Sequence, residues 1–437
     1  MKTSAPSAVT SSGVFTYGAL AFPLAFAGIP IYLHAPDFYA DEFSASLATL
    51  GATLLLLRIV DAVQDPLIGR YSDRFNEWRL VTILIGVCML AAGFWMIFHP
   101  LTSMLVLWFA ISVFVCTTGF SIVSINFQAL GGLWHADKDE RTKITTWREG
   151  IGLVGLLAAA IAPTLLGNSE DAKAAFHDLS IMYFPILAAS VWLFFRWMAN
   201  AKFDAPTEKS GRIGRLPIFD SRWRRHFFGI YFLNSLGSAI PAVMVIFFVR
   251  DRLQAEAELG IFLLLYFLSG ALFMPLWQHL SRVVGKYRCW VFSILLAVAS
   301  FCAVAMLGPG DRELYAIICI LSGAALGADL ALPPSLLADH IVSESDQAVA
   351  SGYFSIMTFL SKTALALATG ITLPVLGALG YQPGSPTSPE MAQYLSISYG
   401  VVPSMIKLVV VIWIWRQLPL FQSVKKSKMG QENVADY

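Results

Sequence analysis

Long apolar runs set the limits on how this chain can fold. Twelve of them, at about 14–36, 46–70, 79–99, 103–131, 146–168, 178–201, 226–249, 258–281, 288–308, 313–341, 349–376 and 393–416, are spaced along the chain. Each is long enough to carry a helix across the ~30 Å hydrocarbon core of a bilayer. Lipid offers no water to backbone N–H and C=O groups, so such runs must satisfy themselves as helices. The expected fold is an all-α polytopic membrane protein with twelve transmembrane helices in two six-helix bundles. Runs 103–131 and 313–341 exceed a simple span, which predicts tilt or extension past the membrane. Only 14% of the 437 residues are charged, where a soluble domain has about a quarter.

One stretch breaks the apolar rule. LLLLRIVDAVQDPLIGRYSDR, Leu54 to Arg74, reads as a membrane helix yet carries Arg58, Asp61 and Asp65. A charge near the bilayer centre costs about 2.5–3.5 kcal/mol on the mildest scale, and residues that bear it are functional by default. The spacing i, i+3, i+7 puts all three on one helix face. That face cannot meet lipid. It looks into a water-filled cavity or at other helices, where one cation can be shared between two carboxylates. The plainer alternative is a buried Arg–Asp pair that locks helices together.

Lys and Arg placement predicts the topology. With the N-terminus inside, the inner connectors and tail hold Arg70, Arg74, Arg79, Lys138, Arg141, Lys143, six basic residues between Lys209 and Arg225, and Lys425, Lys426 and Lys428 among others. The outer connectors hold only Lys173, Arg250, Arg252 and Arg312. The asymmetry puts both termini in the cytoplasm. The one long polar connector, 202–225, separates an N-terminal bundle, 1–201, from a C-terminal bundle, 226–417, with a tail at 418–437. A degenerate internal repeat supports two halves: PLIGRYSDRFNEWRLVTIL from Pro66 and PLWQHLSRVVGKYRCWVFSI from Pro275 lie roughly half a chain apart. No cleavable leader is expected, because the polar segment Met1–Ser12 runs into an apolar run long enough to stay in the membrane.

RIVDAVQDPLIG resembles the second-span signature of the glycoside–pentoside–hexuronide:cation symporters, the melibiose-carrier group of the major facilitator superfamily. The pattern Arg-x-x-Asp-Ala-x-x-Asp-Pro-x-x-Gly is matched by Arg58, Asp61, Asp65, Pro66 and Gly69. YGALAF (Tyr17–Phe22), DKDERTKITTWR with Arg148, ALPPSLLADHI (Ala331–Ile341) and LSKTALAL with Lys362 resemble further segments of that family. The resemblance implies alternating access between two six-helix bundles and cotransport of a solute with Na⁺, Li⁺ or H⁺. It implies Asp61 and Asp65 as the cation-site carboxylates. Oxygen ligands suit a hard cation, and a desolvated carboxylate holds a proton more tightly. The chain departs from the melibiose carriers at Leu24-Ala25, Ser124 and Gln128, where those carriers place sugar- or cation-contacting charges or an aromatic ring. A melibiose-like substrate is therefore not expected.

Other polar residues inside the spans are further candidates. Ser121, Ser124 and Gln128 run i, i+3, i+7 along span 4 beside Asn126, a face able to supply oxygens to a cation or hydrogen bonds to solute hydroxyls; small-residue helix packing is the alternative. Arg148 and Glu149, at the start of span 5, point roughly 100° apart and need not pair. Arg148 would face the cavity or simply sit on its rim. Lys362 lies too deep in span 11 to reach the interface easily; in a charge network with Arg58 it would pair with Asp65 in the empty state and release it when the cation binds, a fixed inter-bundle salt bridge being the alternative. Asp329 in span 10 is a substrate contact or second proton site, with Lys407 or Lys362 as partner. Asp339 and His340 fit a solvated helix end or a gate contact. Trp78, Trp134 and Trp290 fit interfacial anchoring.

The net charge of +1 argues against a nucleic-acid partner. Five cysteines without paired spacing argue against a disulfide framework or zinc site. The sequence has no GxxxxGK[ST], HExxH or GxSxG. The reading is a cation-coupled symporter of a small polar solute, a sugar, glycoside or uronide. It needs no cofactor beyond Na⁺ or H⁺, and it is a monomer in the inner membrane. An amphipathic lipid-like cargo is the alternative, and a non-transporting solute sensor a weaker one.

Overall fold

The computed structural model describes residues 9–166, 172–203, 221–381 and 388–423. Among them, twelve helices are long and apolar enough to cross a membrane. They are α1 Ser11–Phe43, α2 Leu47–Arg74, α3 Asn76–Phe98, α4 Thr102–Leu133, α5 Lys138–Ala162, α6 Ala174–Asn200, α7 Arg222–Arg252, α8 Glu256–Val284, α9 Lys286–Val304, α10 Arg312–Ser343, α11 Gln347–Ala378 and α12 Pro389–Phe421. Each predicted span has its helix. Most of the 202–225 connector, the tail beyond Ser423 and the side chain of Lys173 lie outside the described residues.

The largest boundary difference is at α5, which begins at Lys138 instead of near 146. Its polar first turns are helical because they are capped. The Glu140 N–H donates to Asp137 Oδ1 at 2.7 Å, and the Asp137 N–H donates back to Glu140 Oε2 at 3.0 Å. This reciprocal capping box satisfies two amides that have no intrahelical acceptor. Hydropathy does not register such a start.

The described residues form two compact units. The first takes those within 1–214 together with Pro334–Phe359, and the second those within Arg215–Pro333 and 360–437. The division thus runs through α10 and α11 as well as through the central connector.

In the first unit, α3 and α4 pack backbone to backbone through glycine. A Cβ on Gly93 would lie 2.4 Å from the Cys116 nitrogen, and one on Gly119 2.4 Å from the Leu90 nitrogen. Without water to drive helices together, this close van der Waals fit supplies the cohesion. Tyr17 of α1 donates its hydroxyl to the Phe127 carbonyl at 3.0 Å and packs among Phe127, Trp134 and Trp197. In the second unit, Phe248 stacks on Tyr399 with centroids 4.4 Å apart, and the Tyr315 and Tyr399 hydroxyls meet at 2.7 Å.

Gly119→Ala should therefore destabilise the protein by about 1–3 kcal/mol, the usual cost of overpacking. Gly370→Ala, whose added Cβ meets nothing within 4 Å, should cost nothing. Thermal unfolding in detergent checks both.

Candidate functional site

α2 is amphipathic in the sense opposite to a soluble helix. Leu55, Leu56, Ile59, Val63 and Leu67 are exposed, whereas Asp61 and Asp65 are buried, Asp65 completely. Apolar residues outward and carboxylates inward are what a lipid solvent selects.

Asp61 Oδ1 accepts two hydrogen bonds, from Ser121 Oγ on α4 and from Gln64 Nε2 one turn along α2, each at 3.0 Å. Thr118 Oγ1 on α4 then donates to Gln64 Oε1 at 3.1 Å. The polar stripe read on α4 thus meets Asp61 through Ser121 and extends to Thr118. Ser124 and Gln128 continue it and bond each other, Gln128 Nε2 donating to Ser124 Oγ at 3.1 Å.

Arg58 is placed differently from the expected charge network. Its guanidinium lies over the Tyr32 ring, 4.5 Å from the centroid. Among the described residues it forms no ion pair with Asp61 or Asp65. A cation over an aromatic face is stabilised by the ring quadrupole, so Tyr32 takes the role that an acid was expected to fill. Tyr32 sits on a π-helical turn of α1, Pro30–His34, and is within electrostatic reach of both carboxylates. π-turns shift a helix face by a fraction of a turn and are frequent at functional sites.

Two further expectations change. Asn126, expected as a solute contact beside the stripe, is fully buried, and its Nδ2 donates to Ser72 Oγ of α2 at 2.9 Å. A 100° step per residue carries it away from Ser124 and onto the α2 contact. Arg148 lies about three turns past Lys138, not at a helix start. It is buried, pairs with its neighbour Glu149, and lies beside Tyr17. Long side chains bridge the 100° offset that separates adjacent positions.

The end of α10 and the start of α11 are tied to α2, α3 and α5 within the first unit. The Ser351 N–H donates to Asp73 Oδ1 at 3.0 Å and the Gly352 N–H to Oδ2 at 2.7 Å. Asp73 thereby receives amides at the start of α11 that lack intrahelical acceptors, with the helix dipole adding to the attraction. Arg79 donates to Ser351 Oγ at 3.1 Å and stands 3.6 Å from Asp73. Gly69 permits the approach, since a Cβ there would lie 2.3 Å from Ser355 Oγ. Arg141 reaches Asp339 at 3.4 Å, and the Thr142 and Ser335 hydroxyls meet at 3.1 Å. Asp339 is thus a contact of the α5 start and not a solvated helix end.

The second unit holds its own buried acid. Lys407 Nζ on α12 donates to Asp329 Oδ2 at 2.9 Å and to Asn234 Oδ1 of α7 at 3.0 Å. Trp290 Nε1 of α9 donates to Asp329 Oδ1 at 2.8 Å. Trp290 is 1% exposed, so it is a buried donor and not an interfacial anchor. Both Asp329 oxygens are engaged, and four helices meet at the pair. Lys362 of α11 lies half-buried in this unit.

These features define a multi-pass membrane carrier of the major facilitator type. The chain belongs to the MFS/sugar transport protein family, whose model matches residues 14–421. The putative glycoside/cation symporter YagG of Escherichia coli aligns over 84% of this chain and 83% of its own length, at 23% identity. The isoprimeverose transporter of Lactiplantibacillus pentosus aligns over 84% of this chain and 80% of its own length, at 23% identity. The sodium-dependent lysophosphatidylcholine symporter 1 of Homo sapiens aligns over 82% of this chain and 73% of its own, also at 23%. Among solved structures, a bacterial homologue of the iron transporter ferroportin superposes with a TM-score of 0.71 at 16% identity, covering 92% of this chain and 99% of that one. The fucose:proton symporter of E. coli superposes with a TM-score of 0.66 at 14% identity, covering 93% and 97%. Cargoes as different as iron and fucose on one fold show that the fold does not select the cargo.

Two outcomes follow from the geometry. Asp329→Asn strands the Lys407 ammonium in an apolar interior and should cost about 3–5 kcal/mol, whereas Asp329→Asn combined with Lys407→Met should recover much of the loss. Thermal melts of the three proteins check this. Asp73→Ala removes the acceptor for two amides, so hydrogen exchange across residues 350–355 should quicken in the variant; an unchanged rate would contradict the capping role.

Proposed function

We propose that the protein is a cation-coupled symporter of a small polar solute of the sugar, glycoside or uronide class. It works by alternating access, with Asp61 and Asp65 as the coupling-ion site. The observation that carries this reading is the pair of carboxylates buried one turn apart on α2, with Asp61 Oδ1 met by a hydroxyl and an amide. Two ionised carboxylates this close repel, and a cation or proton held between them relieves the repulsion. Ser121 Oγ directs its hydrogen at Asp61, and a hydroxyl oxygen is a donor of the kind a hard cation takes. Pro66 has no N–H, so the Ala62 carbonyl lacks its usual helical donor and adds an oxygen between the two acids. The coupling ion is Na⁺ or H⁺.

On this reading Ser124 and Gln128 of α4, which bond each other, are the solute contacts of the first unit. Arg148 and Asn126 brace the first unit and Asp329 the second, since Glu149, Ser72 and Lys407 respectively engage them. Release of the Asp73 cap on α11 is the step that opens the inner side. The protein works as a monomer in the inner membrane with both termini in the cytoplasm, as the Lys and Arg asymmetry supports. A second reading, an amphipathic lipid-like cargo, is favoured by one observation: Leu24 is buried and apolar where sugar carriers of the resembled group place charge.

Asp61→Asn and Asp65→Asn test the reading by uptake of labelled sugars into vesicles with an imposed Na⁺ or pH gradient. Both variants should reach the membrane, lose accumulation against a gradient and lose ion dependence, at a stability cost of about 1–3 kcal/mol. Concentrative uptake with unaltered ion dependence in both would show that the acids are structural.

A further inference from the structure

At the end of α3, His99 Nε2 faces His177 Nδ1 of α6 at 2.7 Å. The pair lies apart from the α2–α4 site, at the helix ends where α3 finishes and α6 begins. His177 is exposed, so solvent reaches the facing nitrogens. Neither ring is used by the transport reading.

The surroundings fix the chemistry of His99. Its Nδ1 stands 2.9 Å from the Trp95 carbonyl oxygen, which can only accept. Nδ1 therefore carries the proton, and Nε2 is left with its lone pair directed at His177. A ring N–H held by a carbonyl, with the opposite nitrogen presented outward, is how histidine ligands of metal ions are oriented. Trp95 stacks face to face on His99, centroids 3.6 Å apart and planes 12° apart, so the ring cannot rotate freely. His177 meets the same indole from the side, at 5.8 Å and 60°.

We propose that His99 and His177 form a two-histidine site for a borderline divalent metal ion, Zn²⁺ or Ni²⁺, bridging α3 and α6. In the metal-free protein the His177 Nδ1–H donates to His99 Nε2. Moving that proton to His177 Nε2, which faces away from His99, turns two lone pairs toward one point. With metal–nitrogen bonds of about 2.0–2.1 Å in tetrahedral geometry, the nitrogens need to stand ~3.3 Å apart. The exposed His177 ring supplies that small opening. Water fills the remaining positions, as in open zinc sites. Imidazole is the ligand that suits these two metals. The ion clamps the end of one helix to the start of another, so it stabilises the folded protein by mass action.

The test uses full-length, tag-free protein in detergent, titrated with NiCl₂ and separately with ZnCl₂ by calorimetry, with melting temperature as the second readout. His99→Gln, His177→Gln and the double variant serve as comparisons, each first shown to melt like the parent without metal. The parent should bind one equivalent more than the double variant and gain melting temperature on addition of metal. Each single variant should weaken that equivalent by ~10-fold or more, no less than loss of an outer partner costs a metal site. If His99→Gln does not fold, the exposed His177→Gln decides alone. Equal stoichiometry and affinity in parent and double variant would overturn the proposal, as would a loss confined to only one of two folded single variants.

Discussion

A carboxylate in a membrane-spanning helix must be given partners, and this protein does so in two ways. In the second unit, Asp329 is closed off: Lys407 supplies the opposite charge, Trp290 takes the other oxygen, and Asn234 holds the ammonium in place. A salt bridge with both carboxylate oxygens engaged gives four helices a shared anchor. In the first unit, Asp61 Oδ1 is met by the neutral donors Ser121 and Gln64. A hydroxyl and an amide hold this oxygen without themselves adding positive charge. On the proposed reading Asp329 is a fixed joint and Asp61 belongs to a site that exchanges ions.

On the proposed reading the rest of the first unit serves that site. Glycines at 86, 93 and 119 draw α3 and α4 together, which holds Thr118 and Ser121 on a rigid helix. The Asn126–Ser72 bond joins α4 to α2 further along the same contact. The far end of α2 carries Asp73, which caps α11. One helix therefore bears the buried acids and the cap, separated by two to three turns, so a change in charge at Asp65 and a change in the hold on α11 act on the same rigid element. Mobile coupling between sites requires such a shared two-state element.

Much of this was legible in the sequence because membrane constraints are strict. Apolar length gave each of the twelve spans, and the cost of buried charge singled out Asp61 and Asp65. Ser121 was found by helical spacing alone. What escaped was whatever depends on the exact rotation of one helix against another. Asn126 is two residues from Ser124, and only the α2–α4 contact shows that it turns to Ser72. Tyr32 depends on a π-turn that no periodicity reveals. Gln64 and Thr118 each sit three residues from a recognised site residue, a spacing that could have brought them in. Trp290 looked like an interfacial ring because it follows a basic segment, whereas its indole N–H serves Asp329. The capped start of α5 was missed because a capping box is polar and hydropathy sees only the apolar part of a helix.

The central claim, that Asp61 and Asp65 bind the coupling ion, is tested most directly by infrared difference spectroscopy of the purified protein on addition of Na⁺ at fixed pH and on a pH step at fixed Na⁺. Sodium binding should shift carboxylate stretching bands; proton binding should raise a protonated carboxyl band. One of the two signals should appear in the parent and vanish in both Asp61→Asn and Asp65→Asn, with the folded state intact in each. Difference spectra that are the same in parent and variants would contradict the account.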